Sequence, residues 1–100
     1  MQVDCDCDGY TSSALLINYL HDLFPATVEN NVYYGLHANK DHGIDVDNIP
    51  EGVTLVIAPD ASSNENGIHK ELAKKGIDVV VLDHHHAEKD TDDPAIIVNN

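Results

Sequence analysis

Two short apolar segments constrain the fold of this chain more than any other feature of its sequence. Residues 53–58 and 77–82 are dominated by apolar and β-branched side chains, and both are short enough to be buried strands. Apolar residues recur at helical spacing over residues 10–24, and residues 64–75 form a weakly amphipathic helix pattern. Alternating strands and helices predict an α/β fold, with a mostly parallel β-sheet flanked by helices.

The remaining segments complete this pattern within one domain of 100 residues. Apolar and polar residues alternate over residues 1–9, and strands are predicted over residues 28–36 and 95–98. Residues 37–52 are predicted to form a loop with one short turn of helix. The first helix is expected to end at Pro25 and to be capped by one of three hydroxyl side chains, those of Thr11, Ser12 and Ser13.

The charge balance excludes binding of a polyanion by the protein's own charge alone. Acidic residues number 18 and basic residues 5, all of them lysines, which gives a formal net charge of −13. The sequence contains neither an apolar stretch of about 18 residues nor a basic start followed by an apolar run, so no membrane segment or signal peptide is predicted. Cys5 and Cys7 fit neither a C-x-x-C motif nor a disulfide framework, and we therefore expect a reducing cytoplasm.

Acidic and imidazole side chains follow three of the predicted strands. Because the carboxyl ends of parallel strands line one edge of a sheet, where ligands bind, we expect these side chains to share one crevice. This is the strongest inference from the residues alone. The three clusters are Asp4, Asp6 and Asp8 at the end of the first strand, Asp60 after the apolar segment 53–58, and Asp83 with His84, His85 and His86 after the apolar segment 77–82.

The first cluster needs a compensating charge. In an extended chain Asp4, Asp6 and Asp8 point to the same face, where like charges repel and destabilise a strand. A bound cation is the simplest compensation. Aspartate and histidine together suit Mn²⁺, Mg²⁺ or Zn²⁺, and the dominance of carboxylates favours Mn²⁺ or Mg²⁺.

The seven histidines differ in their predicted roles. Neighbouring side chains diverge, so at most two of the three consecutive histidines face one crevice, and the others support them through hydrogen bonds. Two histidines of the predicted loop are candidates to approach the crevice, His37 and His42. Two others lie in helical patterns and are predicted to be on the surface, His21 and His69.

The same residues match parts of the motifs of two other families. The spacing of Asp4, Asp6, Asp8 and Gly9 satisfies the first half of an EF-hand loop, but the twelfth position is Leu15 where a bidentate glutamate is required. The segment from Asp6 to Gly9 is also similar to the start of a haloacid-dehalogenase-type phosphatase, in which Asp6 would be the nucleophile. That family places threonine or valine after the glycine, where this chain has Tyr10, and its later acidic pair would be Asp92 and Asp93.

The combination of motifs resembles the DHH phosphoesterases across nearly the whole chain. This superfamily includes RecJ-type single-strand-specific exonucleases, oligonucleotide and cyclic-dinucleotide phosphodiesterases, and pyrophosphatases, and the first motif looks most like the RecJ branch. The residues that carry the resemblance are Asp6-Cys7-Asp8-Gly9 with Asp4 before it, the isolated Asp60, and Asp83-His84-His85.

The resemblance implies a centre of two divalent ions, Mn²⁺ or alternatively Mg²⁺. It implies Asp6, Asp8, Asp60 and His84 as metal ligands, with Asp60 bridging the ions and Asp4 as an additional candidate ligand. Catalytic or supporting roles toward the phosphate are implied for three residues, Asp83, His84 and His85.

Three departures from the family pattern bear on this expectation. Many members have a histidine where this chain has Gln2, the aspartate of motif IV has no candidate before Asn100, and the C-terminal substrate-binding domain is absent. We therefore expect residues 1–100 to be the N-terminal part of a DHH phosphoesterase domain, carrying motifs I to III.

The expected function is metal-dependent hydrolysis of phosphodiester bonds in single-stranded DNA or a short oligonucleotide. The alternatives are a non-catalytic metal-binding fragment and a haloacid-dehalogenase-like phosphatase. Two bound divalent ions would change the formal charge from −13 to −9 and make the crevice locally positive. The sequence leaves the substrate among DNA, RNA, cyclic dinucleotide and pyrophosphate, and the oligomeric state, open.

Overall fold

The structure, a computed structural model, describes residues 1–37, 42–88 and 92–100. It confirms the predicted α/β class, since parallel strands alternate with helices along the chain. No helix in these ranges is long and apolar enough to cross a lipid bilayer. The elements are β1 (Gln2–Val3), α1 (Cys7–Leu23), α2 (Pro25–Asn31), β2 (Gly35–Leu36), a 3₁₀ turn (Val46–Asn48), β3 (Leu55–Pro59), α3 (Asn66–Lys74), β4 (Asp78–Asp83) and β5 (Ile96–Asn99).

The strands form two parallel sheets that lie side by side. Strands β3, β4 and β5 pair in that order, with Val56 opposite Val79 and Val81 opposite Ile97. Strand β1 pairs with β2 and also contacts β3, which brings the two sheets together. Connections between parallel strands leave the carboxyl ends of β1, β3 and β4 near one another, and this arrangement positions the candidate site.

The core lies between α3 and one face of the larger sheet. Alternate residues of β3 and β4 point into it, and they pack with Leu72 of α3 and with Ile44 from the preceding loop. Leu82 and Ile96 on the strands remain exposed, so the sheet is covered less completely than the two-sided burial predicted from sequence. The buried members of the core are Ile44, Val56, Ala58, Leu72, Val79 and Val81.

The first helix begins earlier than the sequence predicted, and this corrects the account of the three aspartates. Strand β1 ends at Val3 and α1 starts at Cys7, so Asp4, Asp6 and Asp8 do not share one face of an extended strand. The reason is capping: the Asp6 side chain accepts a hydrogen bond of 2.9 Å from the backbone N–H of Gly9. The hydroxyl residues predicted as caps lie inside the helix.

The predicted strand over residues 28–36 is wrong for most of its length. Pro25 ends the first helix as predicted, but it also occupies the first turn of a second helix, α2, where its fixed φ is favourable. Val28 is buried as a helix residue, and the strand is reduced to Gly35–Leu36. The short helical turn predicted within residues 37–52 is confirmed at Val46–Asn48.

His69 is buried, which corrects its predicted surface position. It lies on α3, and its Nδ1 is 2.8 Å from Oδ2 of Asp93. The other Asp93 oxygen accepts a hydrogen bond of 2.8 Å from the backbone N–H of Ala95, just before β5. The pair therefore ties α3 to the edge strand, a tertiary contact that helical position alone does not reveal. His21 is exposed beside Glu29, as predicted for a surface histidine.

Gly9 permits α1 to approach the end of β1 closely. A Cβ at this position would lie 2.6 Å from Asp4 Cβ and 2.7 Å from the Asp4 carbonyl oxygen. We predict that Gly9→Ala lowers the free energy of unfolding by about 1–3 kcal/mol, because backbone and a buried side chain must shift. Urea denaturation measures the change.

Gly67→Ala is the matched control, because among the described residues no atom outside the adjacent residues and the nearby backbone of α3 lies within 4 Å of a Cβ built there. Alanine there should leave stability unchanged or raise it by up to about 1 kcal/mol. Equal effects of the two substitutions would contradict the close approach at Gly9.

Candidate metal centre

Three sets of ligand atoms converge where β1, β3 and β4 end. Within each set, one ligand atom from every residue lies within 4.8 Å of the others. Asp60 belongs to two of the sets, and Asp4 also belongs to two. The sets found among the described residues are Asp4 with Asp6 and Asp60, Asp60 with His84 and His85, and Asp4 with Cys5 and His42.

Asp60 lies at the centre of this arrangement in an unusual backbone conformation. It directly follows β3, has φ of 67°, and donates its backbone N–H to the Leu82 carbonyl oxygen at 2.7 Å. Positive φ is uncommon for a residue other than glycine and occurs often at functional sites. The turn holds the Asp60 side chain at the sheet edge with only 6% of the residue exposed.

The Asp60 carboxylate is only half satisfied. Its Oδ1 lies 2.9 Å from His84 Nε2, whereas Oδ2 is buried and has no hydrogen-bond partner within the described ranges. Burial and the negative charge of Asp6 raise the pKa of Asp60, and the two histidines offset only part of this effect. A buried acceptor without a partner is costly, and a cation beside Oδ2 would satisfy it. The donor set therefore fits a divalent metal ion.

The motif I aspartates occupy three different environments. Asp4 is buried, and Asp6 is the exposed cap of α1, where the hydrogen bond from Gly9 N–H lowers its pKa. Asp8 is exposed in the first turn of α1 and belongs to none of the three ligand sets identified in the described residues. The negative charge of Asp8 nevertheless contributes to the raised pKa of Asp60. The role of Asp8 as a metal ligand stays a prediction.

Asp83 organises the turn that carries the histidines. Its Oδ1 accepts hydrogen bonds from the backbone N–H groups of His84 and His85, at 2.7 and 3.1 Å, and lies 2.7 Å from His85 Nδ1. Its Oδ2 accepts from the backbone N–H of Ser63 at 3.1 Å. Burial on its own raises the pKa of Asp83, but these hydrogen bonds outweigh it and hold the pKa well below its usual range. Asp83 is thus a positioning residue.

Two of the three consecutive histidines take part in the ligand sets, in agreement with the predicted divergence. His84 contacts Asp60 and His85 contacts Asp83, and both imidazoles are largely exposed. His86 is outside the sets, and its carbonyl oxygen accepts a hydrogen bond of 2.8 Å from Asn64 Nδ2. The first two imidazoles are therefore exposed beside the ligand sets. The backbone of His86 instead helps to hold the loop through its hydrogen bond from Asn64.

The two loop histidines behave differently. His42 approaches the site: its Nδ1 is 2.8 Å from Asp4 Oδ2, and this carboxylate raises the pKa of His42. His37 lies instead between Gln2 and the Gly43 carbonyl oxygen, with its Nε2 2.7 Å from that oxygen. Sequence reasoning named both as candidates but had no signal for choosing between them, because the partner of His42 is 38 positions away.

An open cavity of about 390 Å³ adjoins the cluster. Its walls include Asp4, His42, Asp60 and Asp83, and also the backbone turn after β3. The cavity therefore opens at the same edge of the sheet at which the ligand atoms converge, which is where open α/β sheets bind ligands.

Comparison with known proteins gives one family and two close relatives. The sequence matches the DHH family, N-terminal domain, over residues 1–100. It is 45% identical over 100 residues to the SPbeta prophage-derived single-strand DNA-specific exonuclease YorK of Bacillus subtilis (strain 168), and equally to the single-strand DNA-specific exonuclease of Bacillus phage SPbeta. These alignments cover 100% of this chain and 17% of each relative, so the chain spans about one sixth of their length. No solved structure matches the chain.

The hydrogen bonds to Asp83 predict a pH-dependent contribution to stability. In metal-free protein, Asp83→Asn should lower the free energy of unfolding near pH 7 by about 1–3 kcal/mol, because the buried N–H groups lose charged acceptors. The folded pKa of Asp83 is depressed, so its contribution is complete above the unfolded value of about 4 and is lost as pH falls below it.

The measurement is urea denaturation of both proteins with a chelator present, from pH 7 down to pH 3. Asp83 also raises the pKa of His85, so the difference between wild type and Asp83→Asn should grow as His85 becomes protonated below neutral pH. The difference should then narrow below about pH 4, where Asp83 of the unfolded chain becomes protonated. Asp78→Asn, at the exposed start of the same strand, is the control and should change stability little. A difference that widens between about pH 4 and pH 3 would contradict the depressed pKa of Asp83.

Proposed function

Because this chain belongs to the DHH family, we propose that it carries the metal centre of a RecJ-like phosphoesterase that hydrolyses phosphodiester bonds of single-stranded DNA. Two relatives with 45% identity carry the name single-strand DNA-specific exonuclease, which supports DNA as the substrate class. Short oligonucleotides are the neighbouring substrate class. Family membership over residues 1–100 argues against the haloacid-dehalogenase-like alternative.

The observation that carries the proposal is the position of Asp60. Among the described residues, it alone belongs both to the all-carboxylate set and to the set that contains His84 and His85. Its buried Oδ2 has no partner in these ranges. A carboxylate that belongs to both sets, with one oxygen beside His84 and the other without a partner in the described ranges, is suited to bridge two cations. Carboxylate-rich sets favour Mn²⁺ or Mg²⁺, and we propose two Mn²⁺ ions with Mg²⁺ as the alternative.

Two bound divalent ions would polarise the phosphoryl group and supply a hydroxide nucleophile near neutral pH. Within the protein, Asp6, Asp60 and His84 are the proposed ligands, and Asp4 and Asp8 are additional candidates. Asp83 contacts the Nδ1 atom of His85, and this contact leaves the other ring nitrogen, Nε2, as the one available to a ligand. We assign to His85 the role of contacting a substrate phosphate oxygen.

Electrostatics supports a metal-mediated interaction with the polyanionic substrate. The protein has 5 basic residues and a formal charge of −13, so DNA phosphates would be repelled by the metal-free surface. The proposed ions reverse the sign of the potential locally, at the edge of the sheet where the cavity opens.

Both cysteines are free thiols, which fits the proposed cytoplasmic location.

Asp60→Asn should abolish most of the proposed activity. Asparagine retains the size of the side chain but removes the shared negative charge, so Mn²⁺ affinity and the hydrolysis rate should each fall by at least about 100-fold. Calorimetry measures Mn²⁺ binding, and end-labelled single-stranded and duplex DNA report the rate and the strand preference. Asp47→Asn, an exposed aspartate of the 3₁₀ turn, is the matched control.

Hydrolysis that requires Mn²⁺, prefers single strands and is lost in Asp60→Asn but kept in Asp47→Asn would support the proposal. Stoichiometric Mn²⁺ binding without turnover would favour the non-catalytic metal-binding domain. Activity unchanged by Asp60→Asn would overturn the assigned centre.

His84 and His86 provide a second comparison within one turn of chain. We predict that His84→Ala weakens Mn²⁺ binding by at least about 10-fold, because it removes the imidazole that lies 2.9 Å from Asp60. His86→Ala removes a side chain outside the ligand sets and should leave binding within about 2-fold of wild type. If both variants bind Mn²⁺ equally well, His84 is not a ligand.

A further inference from the structure

We propose that Asp4, Cys5 and His42 form a second type of metal site, selective for a thiophilic divalent cation such as Zn²⁺. The three residues come from the segment after β1 and from the loop that precedes the 3₁₀ turn. One ligand atom from each lies within 4.8 Å of the other two. The site shares Asp4 with the carboxylate set, but the proposal does not rest on the proposed hydrolysis.

The distances are close to those of a tetrahedral zinc site. The Cys5 Sγ is 3.7 Å from His42 Nδ1, and the same nitrogen is 2.8 Å from Asp4 Oδ2. Zinc bound to sulfur, nitrogen and oxygen separates its ligand atoms by about 3.3–3.6 Å. The sulfur–nitrogen pair already has nearly this spacing, and the nitrogen–carboxylate pair must open by about 0.5 Å. The imidazole must also turn, because the sulfur is 3.8 Å from His42 Nε2 as well.

The chemistry of the donors sets the choice of cation. Of the ligand sets in the described part of the chain, this one alone contains sulfur. Thiolate strongly favours Zn²⁺ over Mn²⁺ and Mg²⁺, whereas an all-carboxylate set suits Mn²⁺ and Mg²⁺ and lacks this selectivity for Zn²⁺. Binding releases the thiol proton of Cys5 to solvent, and His42 binds as a neutral imidazole with its proton on Nε2. The thiolate and the carboxylate then neutralise the charge of the ion.

The ligands of the proposed site differ in exposure, so one is fixed in place and another is open to solvent. The Asp4 side chain is 1% exposed, so it provides a fixed ligand, whereas the His42 side chain is 62% exposed and opens the site to solvent. Three protein ligands leave a fourth position for water. Because Asp4 also belongs to the set with Asp6 and Asp60, a cation held by Cys5 draws on a carboxylate of the neighbouring centre.

Cobalt provides a direct test, because a thiolate bound to Co²⁺ gives a charge-transfer absorption that carboxylate and imidazole ligands do not produce. We expect this band when Co²⁺ is added to the reduced protein, and we expect Zn²⁺ to remove it at stoichiometric concentration. Cys5→Ser and His42→Ala should each weaken the Zn²⁺ affinity measured from this displacement by about 100-fold or abolish the band.

Cys7→Ser is the matched control, since Cys7 is an exposed thiol two residues away that belongs to none of the ligand sets of the described residues. This variant should keep the band and the affinity. A band that survives in Cys5→Ser, disappears in Cys7→Ser, or never forms in the wild-type protein would overturn the proposal.

A measurement on unmodified protein guards against misfolded variants. Zn²⁺ should slow alkylation of Cys5 by iodoacetamide at least 10-fold more than that of Cys7, as located by tandem mass spectrometry. Equal protection of the two thiols would contradict the site. Neither readout depends on phosphodiester hydrolysis, so failure of this site and failure of the proposed function are distinguishable.

Discussion

Repulsion between carboxylates at one edge of a parallel sheet is the constraint on which the rest of this structure depends. The topology places the ends of β1, β3 and β4 together, and an aspartate either follows the strand, as after β1 and β3, or is its last residue, as in β4. Ligand atoms of Asp4, Asp6 and Asp60 come within 4.8 Å of one another, a distance at which unit negative charges repel by several kcal/mol if poorly screened. The fold therefore has to supply positive potential at this edge.

Part of that potential comes from the backbone. Asp83 receives three N–H groups, and Asp6 receives one from the first turn of α1, where the partial positive charge of the helix end adds to the effect. The resulting low pKa values mean that both groups stay ionised. Asp60 is the exception, because burial raises its pKa and one oxygen has no partner in the described ranges. The contrast separates Asp83, whose oxygens accept backbone N–H groups, from Asp60, whose buried oxygen is suited to a cation.

Local sequence patterns predicted the features that depend on strand periodicity. Asp60 and Asp83 each follow an apolar segment, so the rule that parallel strand ends share an edge was enough to place them together. The same reasoning failed for residues 28–36, where tyrosine and valine favoured a strand but Pro25 started a helix. It also failed for Asp6, which was predicted to lie in an extended strand. Asp6 caps α1 instead, because its side chain accepts a hydrogen bond from the backbone N–H of Gly9.

The contacts that sequence patterns did not predict join residues far apart in the chain. His69 looks like an ordinary helix-surface residue until Asp93, 24 positions later, is brought beside it, and His42 requires Asp4 in the same way. Such pairings are set by tertiary packing and carry no local periodicity. Asp4 illustrates the functional consequence: its burial follows from the close packing of Gly9, and that burial makes it a fixed ligand available to either a hard or a soft cation. At the two proposed sites, the choice of metal would thus depend on whether Asp4 is joined by carboxylates or by the thiol of Cys5.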